Sequence, residues 1–126
     1  MARLFLFALC ASALACGRII APPPPTSAPD VSEIGQVAGD RVVVAAKAAR
    51  TLADLTFNTR RFGSDSTWGY RGADKLAARF RYGRGTADST RILIELWGTC
   101  SEGRRCNRFD AQSILQRIRA EEAPPG

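Results

Sequence analysis

The most reactive groups in this chain are its four thiols, Cys10, Cys16, Cys100 and Cys106, and no histidine accompanies them. Catalysis that depends on an imidazole is therefore excluded. A structural zinc site wants four cysteine or histidine ligands, and the folded part of the chain cannot supply them. Nor is the cysteine spacing the C-x-x-C of thiol redox enzymes. Carboxylates can work in pairs as acid and base, but Asp65, Asp74 and Asp88 fall in turn-forming stretches, where aspartate bonds local backbone. Tyr82-Gly83-Arg84-Gly85 lacks the lysine of a phosphate-binding loop and the strand-to-helix passage around it, and reads as a hairpin connection. The expectation is a protein that is not an enzyme and has no cofactor and no metal.

Cys16 stands at the end of a segment laid out for export. Arg3 supplies the positive start, residues 4–14 form an apolar run, and small residues close it. The run is shorter than the roughly 20 apolar residues of a membrane-spanning helix. Ser12-Ala13-Leu14-Ala15-Cys16 resembles a lipobox, the processing site of bacterial lipoproteins, in which the cysteine is diacylated and becomes N-terminal. It departs from that pattern in having Ala13 and Leu14 where leucine and a small residue are usual. Ala13-Leu14-Ala15 also satisfies the A-x-A pattern of ordinary signal cleavage, which gives a soluble periplasmic protein. The cysteine at the cleavage point, the short signal and the proline-rich residues 21–29 favour lipidation of Cys16. Polyproline extends by about 3.1 Å per residue, which suits a tether. Gly17 stands where an aspartate would resemble a retention signal, which implies the outer membrane, with the domain in the periplasm.

Export places the chain in an oxidising compartment. Cys10 leaves with the signal, and Cys100 and Cys106, which bracket Ser-Glu-Gly-Arg-Arg, are expected to form a disulfide that staples a loop.

The remaining chemistry belongs to arginine. Lysine and arginine number 18 against 12 acidic residues, and only Lys47 and Lys75 are lysines. The excess is too small to make nucleic acid a partner. Arg71, Arg79, Arg81 and Arg91 are candidates for binding an anion, since guanidinium groups grip phosphate and carboxylate bidentately; a merely solvated face is the competing reading. Trp68 and Tyr70 are expected in the core, whereas Trp97 shares a face with arginines.

These residues need elements to hold them. Asp40 can cap a helix in which Val44, Ala45, Ala48, Leu52 and Leu55 recur at helical spacing. Asn107 can cap a second, with Asp110 in its first turn and Ala111, Ile114, Leu115 and Ile118 on one side. Between them, residues 56–62, 66–71, 76–82 and 91–97 read as strands separated by turn residues. Leu76, Ala78, Phe80 and Tyr82 alternate with Ala77, Arg79 and Arg81, and Ile92, Ile94 and Leu96 with Arg91, Leu93, Glu95 and Trp97. Residues 31–37 can add a short edge strand, although Gly35 and Gly39 weaken that reading. The fold expected is α+β, an antiparallel sheet of four to five strands in the order β-α-β-β-β-β-α, with both helices on one face.

Residues 39–120 resemble small bacterial lipoproteins of unknown function and, more distantly, the domains of the outer-membrane assembly lipoprotein BamC. The resemblance rests on Asp40-Arg41-Val42 opening a helix, Leu55-Thr56-Phe57 leading into a strand, the run from Thr90 to Ile94, and Ala111 through Ile118. These are core and capping features, so they imply fold more than function. The expected organisation is a signal peptide at 1–15, a lipidated cysteine and tether at 16–38, one domain at 39–122 and a disordered tail at 123–126. The expected function is that of a membrane-anchored, non-catalytic module that binds an envelope protein or serves a structural role. The alternatives are binding of anionic envelope glycan or lipid, and a soluble secreted protein.

Overall fold

The computed structural model describes residues 25–62, 65–72 and 75–122; the expected signal, Cys16, Asp74, most of the proline run and the expected tail lie outside these residues. The elements follow the expected order: β1 (Val31–Ala38), α1 (Arg41–Asp54), β2 (Asn58–Phe62), β3 (Ser66–Arg71), β4 (Leu76–Arg84), β5 (Ser89–Trp97), a 3-10 turn (Ser101–Gly103) and α2 (Arg108–Ala120). All five strands form one antiparallel sheet in the order β1-β5-β4-β3-β2. Four strands thus make a meander, and β1 returns to flank the last of them.

Each helix starts where its cap residue dictates. The Asp40 carboxylate accepts the Val43 N–H at 2.9 Å. Asn107 and Asp110 form a reciprocal capping box, so two otherwise orphaned donors of the first turn are satisfied. Arg117 and Arg119 occupy the last turn of α2, where positive charge suits the helix dipole.

The apolar stripes of both helices pack on one face of the sheet. Val44, Ala48 and Leu52 from α1, and Ala111, Leu115 and Ile118 from α2, bury themselves against Ala78, Phe80, Ile92, Ile94 and Leu96. The strand alternation read from the sequence therefore assigns this face correctly. Two strand glycines mark close approach. A Cβ on Gly35 would lie 2.5 Å from Leu115 Cδ2, and one on Gly69 would lie 3.0 Å from Leu52 Cδ1. Gly35, which weakens residues 31–37 as a strand on composition, is what lets α2 lie against β1. Gly39 falls just outside the strand at φ +112°, turning the chain from β1 into α1.

Among the described residues no helix is long and apolar enough to cross a membrane.

Candidate functional site

The face of the sheet turned away from the helices holds most of the candidate residues, and its chemistry is set by register. β4 and β5 pair Arg79 with Glu95, Arg81 with Leu93 and Ala77 with Trp97. The Arg79 guanidinium donates to both oxygens of Glu95, at 2.8 and 3.1 Å, and lies 5.2 Å from the centre of the Trp97 ring. Arg81 Nε reaches the same carboxylate diagonally at 3.2 Å. Glu95 is buried, at 7% exposure, and the two guanidinium groups with their hydrogen bonds offset the cost of taking its carboxylate out of water. Two of the four arginines proposed for anion binding are thus engaged by an internal anion that the strand pattern did not single out.

The other two lie apart from that triad. Arg91 sits on the same face, exposed, near the Gly83 end of β4. Arg71 belongs to the opposite face: it pairs with the core residue Leu76, donates to the Leu55 carbonyl at 2.7 Å and covers the Phe57 ring at 5.0 Å. The four arginines therefore do not form one surface. Arg71 instead closes the end of the core beneath α1.

Trp97 shares a face with arginines as expected, and Trp68 is buried as expected. Trp68 lies on the arginine face, however, where it forms a second small cluster with Ala77, Trp97 and half-buried Tyr70. The two indoles meet edge to face with ring centres 6.0 Å apart. Trp97 Nε1 donates to the Ser27 carbonyl at 3.0 Å. Three residues later, Asp30 accepts the Gly98 N–H at 2.7 Å and faces Arg105 at 3.3 Å. The segment that leads into β1 is therefore fixed to the sheet before the strand starts.

The described residues exposed on this face include apolar Ile34, polar Ser32 and Gln36, and basic Arg81 and Arg91. Ile34 on β1 is 53% exposed and stands opposite Leu93 in register, and the half-exposed Arg81 flanks Leu93 on its other side.

The disulfide expected between Cys100 and Cys106 is present, with the Cα atoms 4.8 Å apart. It closes the 3-10 turn, in which Glu102 and Gly103 both have positive φ, and it brings Arg104 onto Asp110 through paired contacts of 3.2 Å. Burial pushes the Asp110 carboxyl up, but the hydrogen bond from Arg104, the Asn107 N–H and the Arg104 charge together hold it below the ordinary value of 3.8. Asp110 and the two sulfurs lie within 4.8 Å of one another, yet the sulfurs are bonded to each other and offer no thiolate to a metal.

On the helix side, two open clefts of about 320 and 220 Å³ flank Arg117. The larger is lined by opposed charges and crossed by the Arg50–Glu121 ion pair at 3.4 Å. The smaller has an apolar floor of Leu55, Phe57, Leu76 and Ile114 beside Cys100. Asp65 and Asp88 sit in turns as expected: Asp65 pairs with Arg41 at 2.8 Å, and the Asp88 carbonyl accepts the Gly39 N–H.

No family model matches the chain, and no curated protein matches it.

Proposed function

We propose that this protein is a non-catalytic docking module held at a bacterial membrane by a lipid on Cys16, with the open face of its sheet turned to another envelope protein. The observation that carries the docking reading is the exposed Ile34 standing opposite half-buried Leu93, beside an arginine–glutamate triad whose charges are partly neutralised internally. A face on which Arg79 and Arg81 share an internal carboxylate, and which exposes Ile34 beside polar Ser32 and Gln36, suits a protein surface better than a polyanion. The anchoring reading is supported by the lipobox-like residues around Cys16. Fixation of the chain at Ser27 and Asp30 agrees with it, because a pull on the tether would be borne by the sheet.

A second reading, binding of anionic glycan or lipid, is favoured by Arg81 and Arg91, the arginines exposed on this face among the described residues. One experiment separates the two. A photo-crosslinking residue placed at Leu93 in living cells is expected to capture one defined envelope protein, whereas the same residue at Val42, exposed on α1, captures none. Failure of the Leu93 probe, together with salt-sensitive binding to anionic vesicles that Arg81→Ala plus Arg91→Ala abolishes, would replace the first reading with the second.

A further inference from the structure

The two edges of the sheet are built differently. β2 is five residues long and has Arg60 and Arg61 in its middle, the short and charged form in which edge strands avoid pairing with other chains. β1 is eight residues long, contains no proline, and has Glu33 as its one charged residue. Glu33 is turned to the helix side, where its carboxylate lies 3.1 Å from Arg108 Nε.

The backbone of β1 shows which groups face outward. The Gly39 N–H donates to the Asp88 carbonyl in register with the β1–β5 ladder, so the odd-numbered residues direct their peptide groups toward β5. The even-numbered residues Ser32, Ile34 and Gln36 direct theirs away from the sheet. Arg119 Nε, which reaches the Gln36 carbonyl from that side at 3.0 Å, agrees with this parity.

The sequence of this edge is symmetric in character about Ile34. Val31-Ser32-Glu33-Ile34-Gly35-Gln36-Val37 presents the same order of apolar and polar positions in either direction, apart from Glu33 against Gly35. Antiparallel pairing of two such strands with Ile34 opposite Ile34 sets Val31 against Val37, Ser32 against Gln36, and Glu33 against Gly35. No like charges face each other, and the most exposed large apolar side chain of the sheet among the described residues finds an identical neighbour. Shifting the pairing by one residue would place Ile34 beside core-facing positions and lose this match.

We infer that β1 is a homodimerisation edge: two copies of this chain join β1 to β1, antiparallel and centred on Ile34, so that their sheets become one. Arg119 leaves the Gln36 carbonyl, which then pairs with the strand of the second copy. The same guanidinium comes next to the second copy's Glu33, one residue from the Ser32 that faces Gln36. This pairing does not depend on lipidation of Cys16 or on the docking of Leu93.

The test uses the full chain in mild detergent with Cys10→Ser and Cys16→Ser, so that added thiols report alone. Ile34→Cys is expected to yield a covalent dimer under a mild thiol oxidant. Ser32→Cys is expected to yield none, because the two Ser32 positions lie at opposite ends of the paired segment, and Ser32→Cys with Gln36→Cys restores the cross-link. In sedimentation, Ile34→Lys weakens dimerisation of the otherwise unmodified chain by about tenfold or more, because it sets two like charges directly opposite. A monomer at all accessible concentrations, equal cross-linking of Ser32→Cys and Ile34→Cys, or a dimer indifferent to Ile34→Lys would each overturn the inference. So would a different protein found seated on β1 while this chain stays monomeric. The Leu93 probe reports the docking reading separately, so either reading can fail without the other.

Discussion

Arg79 and Glu95 stand directly opposite each other on neighbouring strands and share two hydrogen bonds of 2.8 and 3.1 Å, with Trp97 beneath the guanidinium. The pair converts what looks in sequence like an arginine-rich binding face into a partly self-neutralised one. Glu95→Ala leaves two guanidinium groups facing a buried gap and is expected to destabilise the fold by about 3 kcal/mol, measured by urea unfolding. The same variant should bind anionic vesicles more tightly than the wild type, because Arg79 and Arg81 lose their internal partner.

Helix α2 lies so close to β1 at Gly35 that a single methyl group has no room: the added Cβ would stand 2.5 Å from the end of the buried Leu115 side chain. Gly35→Ala is expected to cost about 1–3 kcal/mol by overpacking. Combining it with Leu115→Ala should cost less than the sum of the two single changes, since the second removes the atoms that the first strikes.

The staple at Cys100 and Cys106 closes a short loop, which on a chain-entropy basis stabilises the fold by about 2 kcal/mol. Cys100→Ser with Cys106→Ser should lower the urea midpoint accordingly. It should also weaken the Arg104–Asp110 contact, read as greater hydrogen exchange at the first turn of α2.

Asp110 gives the fold a specific acid sensitivity. Its carboxyl is held below 3.8 in the folded state, so the stabilisation is fully present above that value and is lost as pH falls through the lower, folded value. Comparison of unfolding at pH 6 and at pH 2 to 3 should show that Asp110→Asn, which lacks this carboxyl, loses less stability on acidification than the wild type.

The sheet, both helices and their caps were legible because the core obeys simple periods. Val44 through Leu52 and Ala111 through Ile118 repeat at helical spacing, and the β4 and β5 positions alternate strictly. The candidate face was less legible because it depends on register, which alternation alone does not determine. The strands extend to Arg84 and back to Ser89, closing a hairpin over residues 85–88 and setting Arg79 against Glu95. A slip of one residue would have set Arg79 against Ile94. Arg71 lies on the opposite face from the other candidate arginines for a related reason. β3 has Thr67 and Gly69 on the core side, so its large aromatics point the other way and its last arginine points toward the helices. The Trp97 contact with Ser27 joins residues 70 positions apart and left no local signal.

The central claim is that Cys16 becomes an acylated anchor. It is tested most directly by metabolic labelling with a fatty-acid analogue of cells that make the wild type or Cys16→Ala. Label should enter the wild-type chain and be absent from the variant. Equal label in both, or none in a wild-type chain that still retains its first fifteen residues, would contradict it.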